Sequence, residues 1–426
     1  MKVDVTNTST VERSLKVNLD WEEVADTYKK TFNRLRKGLK IDGFRPGKVP
    51  ESIAKRLLDT KIKYDFSNDV IETTYKKILE ENGIAEYVNL TVKDIDFKEN
   101  EFFDYSMSVE VDPEITIIDY EKGFPVSKTT YVVDKEDVDL YLENLREQYA
   151  EAREIADGAK EGHYILCDLQ ETENGVPIIG RKIEDRIVKV GEGVFGKPGA
   201  NRLIGVKSGD KVLINIKQEN GNETTYEVNV KKVESRIFPE LTDDFVKDNF
   251  EKLNSYKELR NQVERSLQED WDKRSEKEYM KAISDYFVQK IDFEIPPSRI
   301  SKFLDNIVEN IKSKNDQTEI DENQIREQYK SAAIWEIKWY LIQRELIKNE
   351  NIDVSSDEID SEIEEISKRY PELERNKVVQ YYRKNENRAN LRSDIYDKKV
   401  FNHLKKFVKV KKEIVRTNDL RKRNVL

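Results

Sequence analysis

Near the start of the chain apolar residues alternate with polar ones, first at Val3 and Val5 and then at Leu15, Val17 and Leu19. A period of two marks half-buried strands. The period then changes: Val24, Tyr28, Phe32, Leu35 and Leu39 are spaced for a helix from about Trp21 to Leu39. That helix must stop at Asp42-Gly43-Phe44-Arg45-Pro46-Gly47-Lys48-Val49-Pro50, where two glycines and two prolines within eight residues force a tight loop. Helical spacing resumes through Ile53 and Leu57, and as a further helix through Val70, Tyr75, Ile78 and Leu79. Residues 88–97 and 102–111 then read as strands.

Downstream, Asp134 is placed to cap a helix carrying Val138, Leu142, Leu145 and Tyr149. Between about 158 and 235 short alternating runs return, at 164–170, 186–190, 211–217 and 225–233. Asn174-Gly175 and Asn220-Gly221 mark hairpins, since both residue types accept a positive φ. This predicts a small antiparallel β domain. From Pro239 onward the pattern is almost all helical. Ser255 with Glu258 and Ser355 with Glu358 form capping boxes, and Ile295-Pro296-Pro297-Ser298 separates two helices. Trp335, Trp339, Ile342 and Leu346 make one apolar stripe; Ile359, Ile363 and Ile366 make another.

Composition narrows the chemistry. With one cysteine, Cys167, among 426 residues, neither an intrachain disulfide nor a CxxC zinc site can form. Two histidines, His163 and His403, are too few for most metal sites, so no metal is expected. The first ten residues lack the apolar core of a signal peptide, and the most apolar stretch, Ala332 to Ile342, contains Glu336 and Lys338. A cytoplasmic chain without a membrane partner is expected.

Gly191-Glu192-Gly193-Val194-Phe195-Gly196 satisfies a nucleotide-binding pattern, and Gly196-Lys197 even suggests a phosphate loop. Pro198, however, stands where a metal-binding hydroxyl is needed, and no helix follows to face an anion, so the segment reads as a turn. His163 and Cys167 lie four apart without a third group to orient them and read as structural. More telling is the stretch from Lys29 to Lys63, where twelve Lys and Arg face three carboxylates in a chain of net charge −10. Phe44 lies at its centre, an apolar residue on a loop. Such a charged collar suits docking onto an anionic, RNA-rich partner. The cations from Lys405 to Arg423 read as a solvated terminus.

The loop Gly43 to Pro50, with Ile41-Asp42 before it and helices on both sides, resembles the signature of the trigger factor family, the bacterial ribosome-associated chaperones. The likeness extends through Val111-Asp112-Pro113-Glu114, Pro239-Glu240-Leu241-Thr242 and Ile295-Pro296-Pro297. It implies an α+β multidomain chain. Residues 1–113 would be a mixed α/β ribosome-binding domain and 114–152 a connector helix packing with the C-terminal body. Residues 153–236 would form a small antiparallel β domain of the FK506-binding prolyl isomerase type, and 237–426 an elongated all-helical chaperone body with arms. The resemblance also implies docking at the nascent-chain exit tunnel, on a ribosomal protein and rRNA. Gly43, Phe44, Arg45, Pro46, Gly47, Lys48, Val49 and Pro50 would make the contact, Phe44 as anchor and Arg45 and Lys48 as cations. Unfolded or nascent polypeptides would be bound without ATP or any cofactor; whether free molecules pair as homodimers is left open. Trp335, Trp339, Ile342, Ile359 and Ile363 are the candidates for client contact.

Isomerases of this type hold an X-Pro bond in an aromatic-lined pocket that accommodates the twisted amide better than water does. Gly191, Gly193 and the run Gly205 to Asp210 match the family's glycine framework. The pocket departs from it: a D-F-x-G stretch reads Asp168-Leu169-Gln170-Glu171, a second aromatic position is Ile178, and the apolar-Pro-Gly-aromatic run reads Gly196-Lys197-Pro198-Gly199. A short turn at Asn220-Gly221 replaces the aromatic flap. The expectation is a retained fold with an eroded activity, its degenerate pocket being Leu169, Ile178, Phe195, Gly199 and Tyr226. The alternatives are an active prolyl isomerase relined by Phe195 and Tyr226, and an RNA-binding ribosome-assembly protein that uses the basic tract alone.

Overall fold

The computed structural model describes residues 1–42, 44, 48–173, 176–191, 195, 201–217, 223–314 and 321–422. They group into two compact units, 1–127 with 279–411 and 128–278 with 412–426. The chain opens with strands β1 (Lys2–Asn7) and β2 (Glu12–Asp20), helices α1 (Trp21–Gly38) and α2 (Glu51–Glu81), and strands β3 (Asn89–Lys98) and β4 (Phe102–Glu110). The strands form one antiparallel sheet ordered β1-β2-β4-β3. Leu15, Val17 and Leu19 of β2 and Phe103, Tyr105, Met107 and Val109 of β4 turn the same face inward, against Phe66, Val70 and Ile78 of α2. Phe66 meets Tyr28 and Phe103 edge-on, with centroids 5.1 and 5.2 Å away. The spacing suggested two helices after the loop; the structure has one, of 31 residues. No Gly or Pro interrupts 51–81, and Ile62 and Phe66 carry the buried face across the polar run that looked like a break. Gly83, at φ +72°, lets the chain turn away from the helix end at little steric cost.

The 114–152 stretch is helical only in its later part. It holds strand β5 (Phe124–Val132) before α3 (Lys135–Gln148), which Asp134 precedes as N-cap. The second unit then builds β6 (Glu151–Glu154), β7 (Tyr164–Glu173), β8 (Val176–Lys189), β9 (Lys211–Lys217) and β10 (Glu223–Ile237). They make an antiparallel sheet ordered β6-β10-β7-β8, with β9 also on β10. Its core holds Ile165, Cys167, Leu169, Val188, Phe195, Leu203, Ile214 and Val228. The hairpin signals Asn174-Gly175 and Asn220-Gly221 lie outside the described residues. Helix α4 (Asp243–Asn249) is capped by Thr242, whose hydroxyl accepts from the Phe245 N–H at 3.2 Å. Its Val246 packs with Val138 and Leu142 of α3 and with Leu259 and Val263 at the start of α5 (Tyr256–Lys290).

Helices α6 (Pro297–Lys314), α7 (Glu322–Asn349), α8 (Ser356–Lys368), α9 (Glu372–Tyr382) and α10 (Asn385–Lys405) follow. Pro297 opens α6 at the first position, where its missing N–H costs nothing. One core gathers Tyr120, Phe124, Ile283, Phe287, Trp339, Ile342, Leu346 and Leu404, with Trp335 packed beside it; another gathers Val354, Ile359, Ile363, Leu391 and Ile395. The client candidates lie on these stripes. Trp339, Ile342, Ile359 and Ile363 are buried and Trp335 half-buried, because these stripes are what hold the helices to one another.

The region 237–426 is not all helical, and its basic terminus, though largely exposed to solvent, holds a strand and a short helix. Strand β11 (Val408–Arg416) pairs with β5, and a short helix, α11 (Thr417–Lys422), follows it. The Phe124 N–H donates to the Phe407 carbonyl at 3.2 Å. Thr417 is fully buried and donates to the Val132 carbonyl at 3.2 Å.

Candidate functional site

Where α1 ends and α2 begins, a small core of Phe32, Val49, Ala54 and Ile62, with Leu39, Ile41 and Ile53 against it, fixes both ends of the glycine–proline loop. Val49 is fully buried, and its carbonyl accepts from Arg36 Nε at 2.7 Å. The Pro50 carbonyl accepts from Ala54 N–H at 2.9 Å, which starts α2, and Phe44 N–H donates to the Ile41 carbonyl at 3.1 Å. Between these anchors the Phe44 ring is 39% exposed, and Lys48 and Pro50 are exposed as well. Gly43, Arg45, Pro46 and Gly47 lie outside the described residues. A large apolar ring held in water on an anchored loop gains about 1.5–3 kcal/mol when a partner covers it fully.

The basic tract divides into two sets. Arg34 pairs with Asp69 at 2.9 Å and Asp65 at 3.6 Å, and Lys63 with Asp59 at 3.0 Å. Lys55 donates to Glu99 at 2.5 Å and lies over the rings of Tyr28 and Phe32; the hydrogen bond to Glu99 raises its pKa above the usual lysine value. Glu99 also accepts from the Tyr28 hydroxyl at 3.0 Å, so one carboxylate fastens both helices. By contrast Lys29, Lys30, Lys37, Lys40, Lys48, Arg56 and Lys61 are exposed and, among the described residues, have no carboxylate partner.

Three hollows adjoin at Tyr87 and Val88 in the first unit. One of about 630 Å³ lies along α2 and β3, lined by Ile71, Tyr75, Leu90, Val92 and Ile95. One of about 580 Å³ lies along α6 and α7, lined by Phe303, Ile337 and Tyr340. Lys302 borders both and donates to the Val88 carbonyl at 3.1 Å. The third, about 520 Å³, is polar and surrounds Asp112, Arg299 and Arg344. Tyr87, Ile95 and Tyr340 are exposed. The sequence pattern missed these hollows, since their lining comes from segments far apart in the chain and has no period of its own.

In the β sheet of the second unit Leu169 and Phe195 are core residues, Ile178 is half-buried and Tyr226 packs at the edge of the core, its ring 6.4 Å from that of Phe195. Gly199 lies outside the described residues. Asp168 is occupied: Lys231 Nζ lies at 2.6 Å, Lys182 Nζ at 3.6 Å, and Asp185 N–H donates to it at 3.0 Å. The Lys231 hydrogen bond is the main cause that holds its carboxyl below the usual range. Gln170 Nε2 donates to the Ile178 carbonyl at 2.9 Å. Cys167 is buried with Sγ toward the Arg186 carbonyl, and burial pushes its thiol up to about 11. His163 precedes β7, its Nδ1 accepting from Lys160 N–H at 3.0 Å. A thiol of that kind stays protonated and is a poor nucleophile. Among the described residues no group of three or more His, Cys, Asp or Glu could hold a metal ion, and no helix is long and apolar enough to cross a membrane.

A family model described as bacterial trigger factor protein matches residues 1–145, and one described as its C-terminus matches 255–406. The trigger factor of Geotalea uraniireducens is 28% identical over 425 residues, covering 95% of this chain and 97% of its own. That of Clostridium tetani is 27% identical, covering 94% and 97%. A solved structure described under "Promiscuous Substrate Recognition in Folding and Assembly Activities of the Trigger Factor Chaperone" aligns with a TM-score of 0.50 at 22% identity. It covers 95% of this chain and 99% of that one, which is a likeness of fold.

Proposed function

The chain belongs to the trigger factor family, and from that premise we propose that it is a cytoplasmic, ATP-independent chaperone that docks on the ribosome through residues 43–50. The observation that carries this reading is Phe44, exposed on a loop whose two ends are buried, amid cations without carboxylate partners. The ring supplies the apolar anchor on a ribosomal protein beside the nascent-chain exit. Arg45 and Lys48 approach anionic groups next to it, and neighbouring rRNA provides them.

Unfolded segments then lodge in the hollows on either side of Tyr87. Each takes one or two apolar side chains, and burial of about 0.8 kcal/mol per methylene gives contacts weak enough to release without nucleotide hydrolysis. The β sheet of the second unit is retained as scaffold with weak isomerase activity. Leu169 and Phe195 are drawn into the core, and Asp168 is engaged by two lysines instead of lining an open pocket.

The test is co-sedimentation with ribosomes of the native chain and of the variant Phe44→Ala/Arg45→Ala/Lys48→Ala. The variant is expected to lose ribosome binding while still suppressing aggregation of a denatured model protein. A variant that sediments like the native chain sinks the docking reading.

A further inference from the structure

Lys29, Lys30, Asn33 and Lys37 occupy one face of α1, since positions i, i+1, i+4 and i+8 fall within about 100° of arc. All four are exposed. The face is about 12 Å long at 1.5 Å per residue and leads toward Lys40 and the loop. Glu22 and Asp26, the acids on the same face, stand at the end away from the loop.

Elsewhere in the chain, exposed helical cations are commonly neutralised one turn away. Lys273 pairs with Asp270, Arg274 with Glu278, Lys281 with Asp285, and Lys368 with Glu364 and Glu365. The α1 lysines have no such partner among the described residues, although the chain as a whole is acidic. Nor do they stabilise the fold as Arg34, Arg36 and Lys55 do.

We propose that Lys29, Lys30 and Lys37 form a second ribosomal contact that lies along an RNA phosphate backbone, beside the apolar contact of the loop. The proposal rests on the docking reading above. Charge complementarity selects the occupant. Closely spaced cations on a smooth helical face, without interleaved exposed aromatic side chains, suit a line of phosphates better than a peptide or stacked bases. The division of labour follows: Phe44 supplies salt-independent affinity and α1 supplies its salt dependence.

The experiment measures ribosome affinity between about 50 and 300 mM salt for the native chain, for Lys29→Gln/Lys30→Gln/Lys37→Gln and for Phe44→Ala. A second arm uses protein-free RNA from the large ribosomal subunit. The lysine variant is expected to bind ribosomes at least about tenfold more weakly at 100 mM salt. Its log–log salt slope should be shallower by about 2 to 3, at roughly 0.7–0.9 per lost phosphate contact. It should also lose affinity for the free RNA, whereas Phe44→Ala weakens ribosome binding at every salt concentration with the slope unchanged. An unaltered slope in the lysine variant overturns the proposal and leaves the loop reading standing, provided Phe44→Ala binds less. If neither variant changes ribosome binding, the docking reading itself has failed. Weaker ribosome binding with undiminished RNA binding also overturns the proposal, and assigns the lysines to an acidic protein face.

Discussion

Asp112 receives Arg299 in a two-pronged ion pair, Nε at 2.6 Å and Nη2 at 2.8 Å, and takes a third hydrogen bond from Arg344 at 2.6 Å. Two residues upstream, Glu110 accepts from the Ser298 N–H at 3.0 Å and its hydroxyl at 2.6 Å, and so caps the first turn of α6 from a distant segment. The segments around Asp112-Pro113 and Pro296-Pro297, which marked the family resemblance in the sequence, meet at this clasp.

Replacing Asp112 with Asn keeps the shape and removes the charge, leaving two arginines short of a partner. The expected loss is about 1–3 kcal/mol of unfolding free energy for the first unit. The pH dependence follows from the sign of the shift. Burial opposes ionisation of Asp112, but the hydrogen bonds from Arg299 and Arg344 outweigh it, and the carboxyl lies below its usual value. Its contribution is therefore complete above the unfolded carboxylate pKa of about 3.9 and is lost as pH falls through the folded value. Urea melts of native chain and variant should differ at pH 7 and converge in strong acid; an equal gap at both would contradict the assignment.

The hollows at Tyr87 make a separate prediction. Tyr87→Ser/Tyr340→Ser removes two exposed rings, so stability should change by less than about 0.5 kcal/mol per site. Affinity for an unfolded model protein should fall several-fold, with ribosome co-sedimentation unchanged. Unaltered suppression of aggregation would place client binding elsewhere.

For the β sheet, the expected result is low prolyl isomerase activity. If two or three aromatic contacts to the twisted amide are missing, at about 0.5–1.5 kcal/mol each, kcat/KM falls at least about fivefold relative to an active family enzyme. Isomerisation of a proline tetrapeptide at full family rates would refute this.

Cys167 gives an inexpensive check of the same core. With its thiol buried and raised to about 11, it should react with a water-soluble disulfide reagent at pH 8 only as fast as the sheet opens. Rapid labelling of the native chain would mean that the core around Leu169 and Phe195 is open to solvent.

Much of this was legible in the residues because the signals were local. The alternation at Leu15, Val17 and Leu19, the Asp134 cap and the Ser355–Glu358 box each specify a few residues of backbone by themselves. What failed depended on distant partners. Val408, Val410 and Ile414 lie among lysines and look like a soluble tail until β5 is placed beside them. The tryptophan stripe on α7 looks available until Tyr120, Phe287 and Leu404 close over it. For the candidate site, Phe44 and its cations could be picked out because a loop exposes its residues. The division of those cations into paired and unpaired sets could not, since it depends on where Asp65, Asp69 and Glu99 come to rest.

The pairing of β5 with β11 also sets a timetable. Val132 and Thr417, joined by a hydrogen bond, are 285 residues apart. At roughly 5–20 residues per second, β5 is synthesised some 15–60 s before its partner strand. During that interval it is an unpaired strand bearing Phe124, Val126 and Tyr131, the kind of segment that recruits other chains. A chaperone of nascent polypeptides would thus be, for most of its own synthesis, one more polypeptide in need of one.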